Sequence, residues 1–585
     1  MRDRLPEAQT LKARAGALRH ILNNSEGNVK VFGTFVHPSE LAGLETVPSE
    51  GFYGLGVFAR RFLKALLLHS DFDEFHFFCS GPYREPQEGE LLGSDRRVRL
   101  VPLREFSNSA RQFDYHVLHK IWTPDIGPWT EMRNRLCPTG VPVTGLTHTI
   151  SYQSFLPRVM GTMVMGARPS DSIICTTDSA RTVMLNWIEY LRREFGAQTG
   201  AAVSYEGRLD KIPLGVDAEI FTPKEKAPLR QRLELPADDV LLLYVGRFSP
   251  ADKMDLFPLL LAFKSAAERS PAQNVALVMA GSDKLFQYAG RLEQFAADLG
   301  IARRVIIRTD LPDHEVPDYY AASDIFISPS DNIQETFGLS IIEAMACGLP
   351  VICSDWDGYK ELVVHGLTGY RVPTYWMECD QKICDHAGLS DWMMDHFYLG
   401  QSVSVDVPEM ALAIERLAGD RRLREQWGAN GRQRVLEHFD WPVVIRQYLD
   451  LWKELKAMAA EPVTGVRRTS WYRPDFFQTF RHYPTRVLGP SQKVTTHGPL
   501  DFRWYPELSA EIRLGLVEQI TRAARDGVTI GELERLADEN EVTLDSLRFH
   551  IMWLLKYRHL VLGEKQQQFT DSIPGGTSDA KNIVA

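Results

Sequence analysis

The sequence predicts an α/β chain of two doubly wound, mainly parallel sheets, followed by a small helical module. Three observations carry this. From about residue 27, short apolar runs alternate with amphipathic segments of helical period. A second such series begins near 239, and its runs are so continuously apolar that both faces of the sheet must be covered. After about 460 the alternation stops, and three helical segments with short turns then run into a final apolar stretch, a winged-helix-like order.

The elements follow in order. The charged start, residues 1–26, reads as an exposed helical extension. VKVFGTFV (29–36) reads as a strand and GFYGLGVFARRFLKALLLH (51–69) as a glycine-rich turn opening a helix. Between them, FVHPSELAGLETVPSE (35–50) exceeds a minimal βα loop. HFFCS (76–80), VRLVPL (98–103), VPVTGLT (141–147) and DSIICTT (171–177) read as further strands. The domains join near KIPLGVDAEIFTP (211–223). The second sheet is read at 239–247, 274–281, 304–310, 324–330 and 349–355, with helices over 255–268, 285–299, 313–322 and 339–347. The map is therefore 1–26, a first domain at 27–212, a second at 213–457, an extended linker at 458–505, the module at 506–565 and a disordered tail at 566–585.

Composition narrows the function. The 585 residues are 44% hydrophobic and 24% charged, as in ordinary globular proteins. Net charge is −10. Neither half is a polycation, so nucleic acid is not the expected partner. The module, residues 505–565, carries eight basic and eleven acidic residues. It is therefore read as a protein-contact or self-association surface. Seven dispersed cysteines suggest a reducing compartment. No apolar leader opens the chain and no apolar run could span a bilayer. The expectation is a cytoplasmic protein without a transmembrane segment, compatible with a peripheral place at a membrane.

Polar residues of the second domain gather after the strand ends: Gly246-Arg247, Gly281-Ser282, Thr309-Asp310, and Ser328 through Glu335. In open α/β sheets that edge binds ligands. Two glutamates with seven residues between them sit in the apolar stretch QETFGLSIIEAMACGLPV (334–351). Glu335 falls in the strand-end loop, and Glu343 falls in the helix that begins near Leu339. The helix start can hold an anion, carboxylates suit sugar hydroxyls, and Arg247 and Lys253 supply counter-charge for a diphosphate. The pattern points to a nucleotide diphosphate-sugar.

These residues resemble the retaining glycosyltransferases of family 4, which have the GT-B fold: two Rossmann-like domains facing a cleft. The matching pieces are IPLGVDAEIFTP (212–223), VGRFSPADK (245–253), LVMAG (277–281), ETFGLSIIEAMACGLPVICSD (335–355), GYKELVVHGLTGYRVP (358–373) and HFDWPVVIRQYLDLW (438–452). The resemblance implies that Glu335 contacts donor-sugar hydroxyls and Glu343 the nucleotide ribose. It implies that Arg247 and Lys253 hold the diphosphate, assisted by backbone N–H groups of Phe337, Gly338 and Leu339. His148 in GLTHTIS would contact the sugar. Gly54 and Gly56 would approach the phosphate or acceptor. No cofactor or metal is expected. The late helix crosses back to tie the two domains together.

There are departures and open alternatives. Lys253 comes six residues after Arg247, where relatives usually have five, so a bulged loop is expected. The segment 374–408 is longer than the family's connection and rich in aromatics and methionine; the preferred reading is a surface cover, the other a cleft wall. His148 also reads as a structural histidine, Gly51, Gly54 and Gly56 as plain turn glycines, and Arg247 and Lys253 as solvated charges. Asp355-Trp-Asp357 and Asp71-Phe-Asp73 look like metal-binding pairs, as do Cys379, Cys384 and His386, but none is read as a metal site. The alternative function is a catalytically silent sensor of nucleotide-sugars acting through the module. A sugar-nucleotide epimerase on the same fold lacks the glutamate pair in its usual form. The acceptor is not legible.

Overall fold

The computed structural model describes residues 29–36, 54–79, 95–137, 140–269, 274–284, 287–386, 389, 392–460, 475–497, 505, 508 and 511–563, without the side chains of 54–57, 104 and 392. The helical extension 1–26, most of the loop 35–50, Gly51 and the tail 566–585 lie outside these residues. The chain divides into two compact units between Tyr472 and Arg473.

The first unit holds two parallel sheets. One has the order β3-β2-β1-β4-β5-β6-β7. Its strands are β1 (Val31–Val36), β2 (Glu74–Cys79), β3 (Val98–Pro102), β4 (Tyr115–Lys120), β5 (Val143–Leu146), β6 (Ser172–Cys175) and β7 (Arg208–Lys211). The other has the order β10-β9-β8-β11-β12-β13. Its strands are β8 (Val240–Val245), β9 (Val275–Gly281), β10 (Val305–Thr309), β11 (Ile325–Ser328), β12 (Val351–Ser354) and β13 (Gly369–Val372). All pairings in both sheets are parallel. In each sheet the order reverses beside the first strand, between β1 and β4 and between β8 and β11. Such a reversal opens a crevice at the carboxyl edge, where loops run to opposite faces. This is the expected two-domain GT-B architecture.

Three of these strands are not among those read from the sequence. β4 (YHVLHK) carries His116 and His119 and lacks a clean apolar run. β7 (RLDK) is a polar edge strand. β13 (GYRV) is short and also lies at an edge.

Helix α1 (Gly54–His69) follows the first strand, with Gly54 and Gly56 in its first turns. Helix α2 (Asp178–Thr199) follows β6, capped by the Thr177 hydroxyl, which accepts from the Ala180 N–H. Helix α3 (Leu339–Ala346) follows β11, and α4 (Trp392–Gln401) lies in the long connection after β13. Helix α5 (Trp441–Ala459) leaves the second domain at a bridge between Val216 and Asp440 and enters the first. Its Trp452 is fully buried among Phe32, Phe72, His119 and Tyr448, and its indole donates to the Thr144 hydroxyl at 3.2 Å. Lys456 donates to Asp114 at 2.7 Å. The approach is close enough that a Cβ on Gly140 would sit 1.6 Å from the Ala459 carbonyl oxygen.

The second unit packs helices Leu514–Ala523, Ile530–Leu533, Arg535–Glu539 and Leu544–Lys556 on a three-stranded antiparallel sheet, with Val494, Leu516, Ile520, Ile551 and Leu560 in its core. Its strands are β14 (Lys493–Thr496), β15 (Val528–Thr529) and β16 (Leu560–Leu562), with β14 in the centre. This corrects the reading of 458–505 as linker throughout. KVTT is too short to show a period, yet Val494 is wholly buried in this core.

Candidate active site

The site forms at the switch point of the second sheet. After β8, Gly246 and Arg247 lead into a turn closed by Ser249, whose carbonyl accepts from the Lys253 N–H at 3.1 Å and whose hydroxyl accepts from the Asp252 N–H at 3.1 Å. The longer Arg247-to-Lys253 spacing is taken up in this turn. It places the buried Asp252 carboxylate 3.1 Å from Arg247 Nη1, and Arg247 Nη2 also donates to the Asp252 carbonyl at 2.8 Å. The guanidinium is thus aimed rather than solvated. Gly281, at the end of β9, permits this; a Cβ there would lie 1.6 Å from the Gly246 carbonyl oxygen.

Lys253 reaches across the switch point to Glu335 in the loop after β11, at 2.5 Å. Both side chains are largely buried. The second Glu335 oxygen faces the N–H groups of Thr336 and Phe337, each at 3.3 Å, and the Tyr359 hydroxyl stands 3.4 Å from Oε2. Burial pushes the Glu335 carboxyl up, but the Lys253 charge and these donors outweigh it and hold it below the usual range. Glu335 is an ionised, oriented acceptor. The loop is braced by Asn332, whose amide donates to the Ala251 carbonyl at 2.9 Å and whose carbonyl accepts from the Trp356 indole at 3.0 Å. Gly338 ends it at φ +108°, a conformation that L side chains rarely adopt, with a Cβ position 2.5 Å from the Tyr359 ring. Helix α3 starts there, so the N–H groups of Gly338 and Leu339 have no intrahelical acceptor. The Phe337 N–H is used on Glu335.

Glu343 lies one turn further along α3. Its carboxylate accepts from Arg61 of α1 at 2.6 Å and from the buried Tyr320 hydroxyl at 3.1 Å. Arg61 lies 282 residues earlier in the chain, and no local pattern announces it. It is the main functional candidate missed by sequence reasoning; its only signal is an arginine pair on a largely apolar helix that also carries Lys64.

His148 follows β5. Its Nε2 donates to the Ile121 carbonyl at 3.0 Å, which leaves Nδ1 as an acceptor. Burial pushes its pKa down to about 4, so the ring is neutral. It stands edge-on to Phe58 of α1 at 5.0 Å. The two domains meet directly near the site, where the Thr177 hydroxyl donates to the Thr336 carbonyl at 3.0 Å.

The connection after β13 corrects its reading as a surface cover. With α4 it walls a cavity of about 480 Å³ whose other sides are the first domain's 150–156 segment and α2, and which reaches Glu335 and Thr336. Asp395 accepts from the Gln153 amide at 2.9 Å, and the His396 ring stacks on Tyr152 at 5.0 Å. Aromatic content alone does not distinguish a cover from a wall; these partners do.

The aspartate pairs have structural partners. Asp73 accepts from the Lys30 N–H at 2.8 Å, and Asp71 pairs with the Lys30 ammonium. Asp355 lies 3.4 Å from Arg371, while Asp357 turns at φ +44° into the cavity wall. Cys384 points at Asp380 and His386 at the Lys382 carbonyl. No group of three such side chains gathers as metal ligands among the described residues, and no helix among them is long and apolar enough to cross a membrane.

Residues 225–385 match the family described as Glycosyl transferases group 1. The chain is 34% identical over 307 residues to a D-inositol 3-phosphate glycosyltransferase of Streptosporangium roseum, covering 50% of this chain and 66% of that one. It is 32% identical over 236 residues to the protein of that name from Mycobacteroides abscessus, covering 39% of this chain and 52% of the relative. The chain spans about half the length of the curated relatives it matches. A sucrose-phosphate synthase from Thermosynechococcus elongatus is similar in structure, with 22% identity and a TM-score of 0.49 over 73% of this chain and all of that one. The fold is read from the strand order of the two sheets.

Proposed function

We propose, from the premise that this chain belongs to the family 4 glycosyltransferases, that it transfers a sugar from a nucleotide diphosphate-sugar to an acceptor hydroxyl with retention of configuration. The observation that carries the reading is the Lys253–Glu335 pair at the β8/β11 switch point, with Arg247 aimed by Asp252 on the same loop. Two cations and an ionised acceptor converge where a diphosphate and a sugar hydroxyl would meet.

Chemically, the bond between sugar C1 and the β-phosphate oxygen breaks and a bond from the acceptor oxygen to C1 forms on the same face. The acceptor's proton passes to the departing phosphate oxygen. Arg247 and Lys253 stabilise the charge that develops on the leaving diphosphate, in place of a metal. Glu335 accepts from donor-sugar hydroxyls, and the N–H groups opening α3 complete the anion cradle. Glu343 accepts from the ribose hydroxyls and is held in place by Arg61 and Tyr320. His148, neutral, offers Nδ1 to a sugar hydroxyl. Gly54 and Gly56 open α1 on the phosphate or acceptor side. The protein's work is positioning and charge stabilisation.

The test is donor hydrolysis without acceptor, screened over UDP-, GDP- and ADP-sugars. One donor is expected to be consumed, and Glu335→Ala is expected to lose most of that turnover. Consumption of none, with no nucleotide binding, would refute the reading.

A further inference from the structure

The cavity beside Glu335 has a wall chemistry of its own. Trp376 stands half-exposed on the inserted segment, held by its indole's bond to the Ser402 hydroxyl at 2.9 Å and by an edge contact to Trp356 at 5.9 Å. Opposite, on α2, Trp187 is fixed by donation to the Ile150 carbonyl at 3.1 Å, with Tyr190 edge-on to it. Tyr152, Ile333, Ile383 and Leu399 fill in between. The two indoles, each held by a hydrogen bond at its polar end, belong to one lining that is rich in apolar side chains.

The charged groups on the wall are all carboxylates: Glu335, Asp357, Asp380 and Asp395. No lysine or arginine lines the cavity among the described residues. Burial pushes the Asp357 carboxyl up and the His396 imidazole down. The cations of the site belong to the donor side: Lys253, paired with Glu335, and Arg247, aimed by Asp252, serve the diphosphate, and Arg61 holds Glu343. A phosphate or carboxylate brought into the cavity would lose its hydration with no cation on the wall to meet it.

Resting on the transferase reading, we propose that this cavity is the acceptor site and that it takes an uncharged hydroxyl compound with a flat apolar body, not a phosphorylated polyol. The volume, about 480 Å³, suits a small ligand of that kind. The apolar body lies between Trp376 and Trp187, and its hydroxyl points toward Glu335, where donor sugar and acceptor meet. The inserted segment 374–408 is then a specificity element.

The experiment uses the full chain and three probes: 2-naphthol, myo-inositol and D-inositol 3-phosphate. Binding is followed by titration calorimetry and, with the donor found by hydrolysis, glycoside formation by chromatography. 2-Naphthol is expected to bind saturably and to become its glycoside. Trp376→Ala, and Val183→Trp filling the cavity from the opposite wall, are each expected to weaken binding at least tenfold. Neither inositol compound is expected to bind. Preferred binding or glycosylation of D-inositol 3-phosphate would overturn the proposal while leaving the transferase reading intact. Naphthol binding unchanged in both variants would also overturn it. Variant-sensitive naphthol binding with no donor consumed in any arm would support the cavity assignment and refute the transferase instead.

Discussion

Lys253→Met separates two forces that act on one carboxyl. In the native protein Glu335 is largely buried, and its carboxyl is held low only because the Lys253 ammonium at 2.5 Å, with the neighbouring donors, outweighs burial. Removing the cation leaves burial, the largest single influence, acting against two N–H groups at 3.3 Å. The folded-state pKa should then rise above the unfolded value. The signs follow. In the native chain, a depressed folded pKa stabilises above the unfolded value, about 4.3, and that stabilisation is lost as pH falls through the folded pKa. In the variant, a raised folded pKa leaves stability intact at low pH and lost as pH rises from about 4.3 upward. The gap between the two should be small near pH 4. By pH 7 it should open to about 3–5 kcal/mol, the range for stripping one partner from a buried pair. Urea unfolding of the full chain between pH 4 and 8, followed by tryptophan fluorescence, reads it directly. Lys253→Met with Glu335→Gln should recover most of the loss, because no unpaired buried charge remains. A gap that stays under 1 kcal/mol, or that does not widen with pH, would refute the reasoning.

Other expectations concern the same cleft. Arg247→Ala should lower donor turnover by about 10²–10³, the scale for one oriented electrostatic group, and native turnover should survive a chelator; loss of activity in chelator, restored by a divalent ion, would reject the cation assignment. Glu335→Ala should act mainly on turnover, whereas Glu343→Ala should weaken nucleotide binding by about 10–100-fold, the range for a charged hydrogen bond; nucleotide titration distinguishes them. His119 and His148, whose pKa values burial pushes down to about 3 and 4, must take up protons on unfolding. Stability should therefore fall as pH drops from about 6.5 toward 4, and His148→Phe should flatten part of that slope in pH-dependent unfolding. A chain ending after Ala460 should keep donor hydrolysis, while light scattering should show that only the full chain self-associates or recruits a protein partner through 505–565; duplex DNA binding lost on that truncation would contradict this.

What was legible in the sequence follows physical range. Strands such as LLLYV announce themselves because a sheet covered on both faces needs unbroken apolar runs, and the Glu335–Glu343 spacing is local to one loop and one helix. β4 escapes because His119 is buried under α5, so its polarity misleads when its cover is unknown. Arg61 meets Glu343 across two domains, and no window along the chain contains both. The wall role of 374–408 depends on Tyr152 and Gln153, more than 200 residues upstream. In each case the missed fact is a contact between segments distant in sequence.

The return of α5 into the first domain also sets an order in time. Trp452 fills space among Phe32, Phe72 and His119 that no earlier residue occupies. A ribosome adding roughly 5–20 residues per second would expose all seven strands of the first sheet roughly 12–50 s before Ala459 is made. During synthesis that sheet waits with an open apolar seam, and the second domain must be made before the seam can close. Slow or interrupted translation through 212–441 should therefore expose nascent chains to aggregation or chaperone capture, and a separately supplied 441–459 peptide should relieve it.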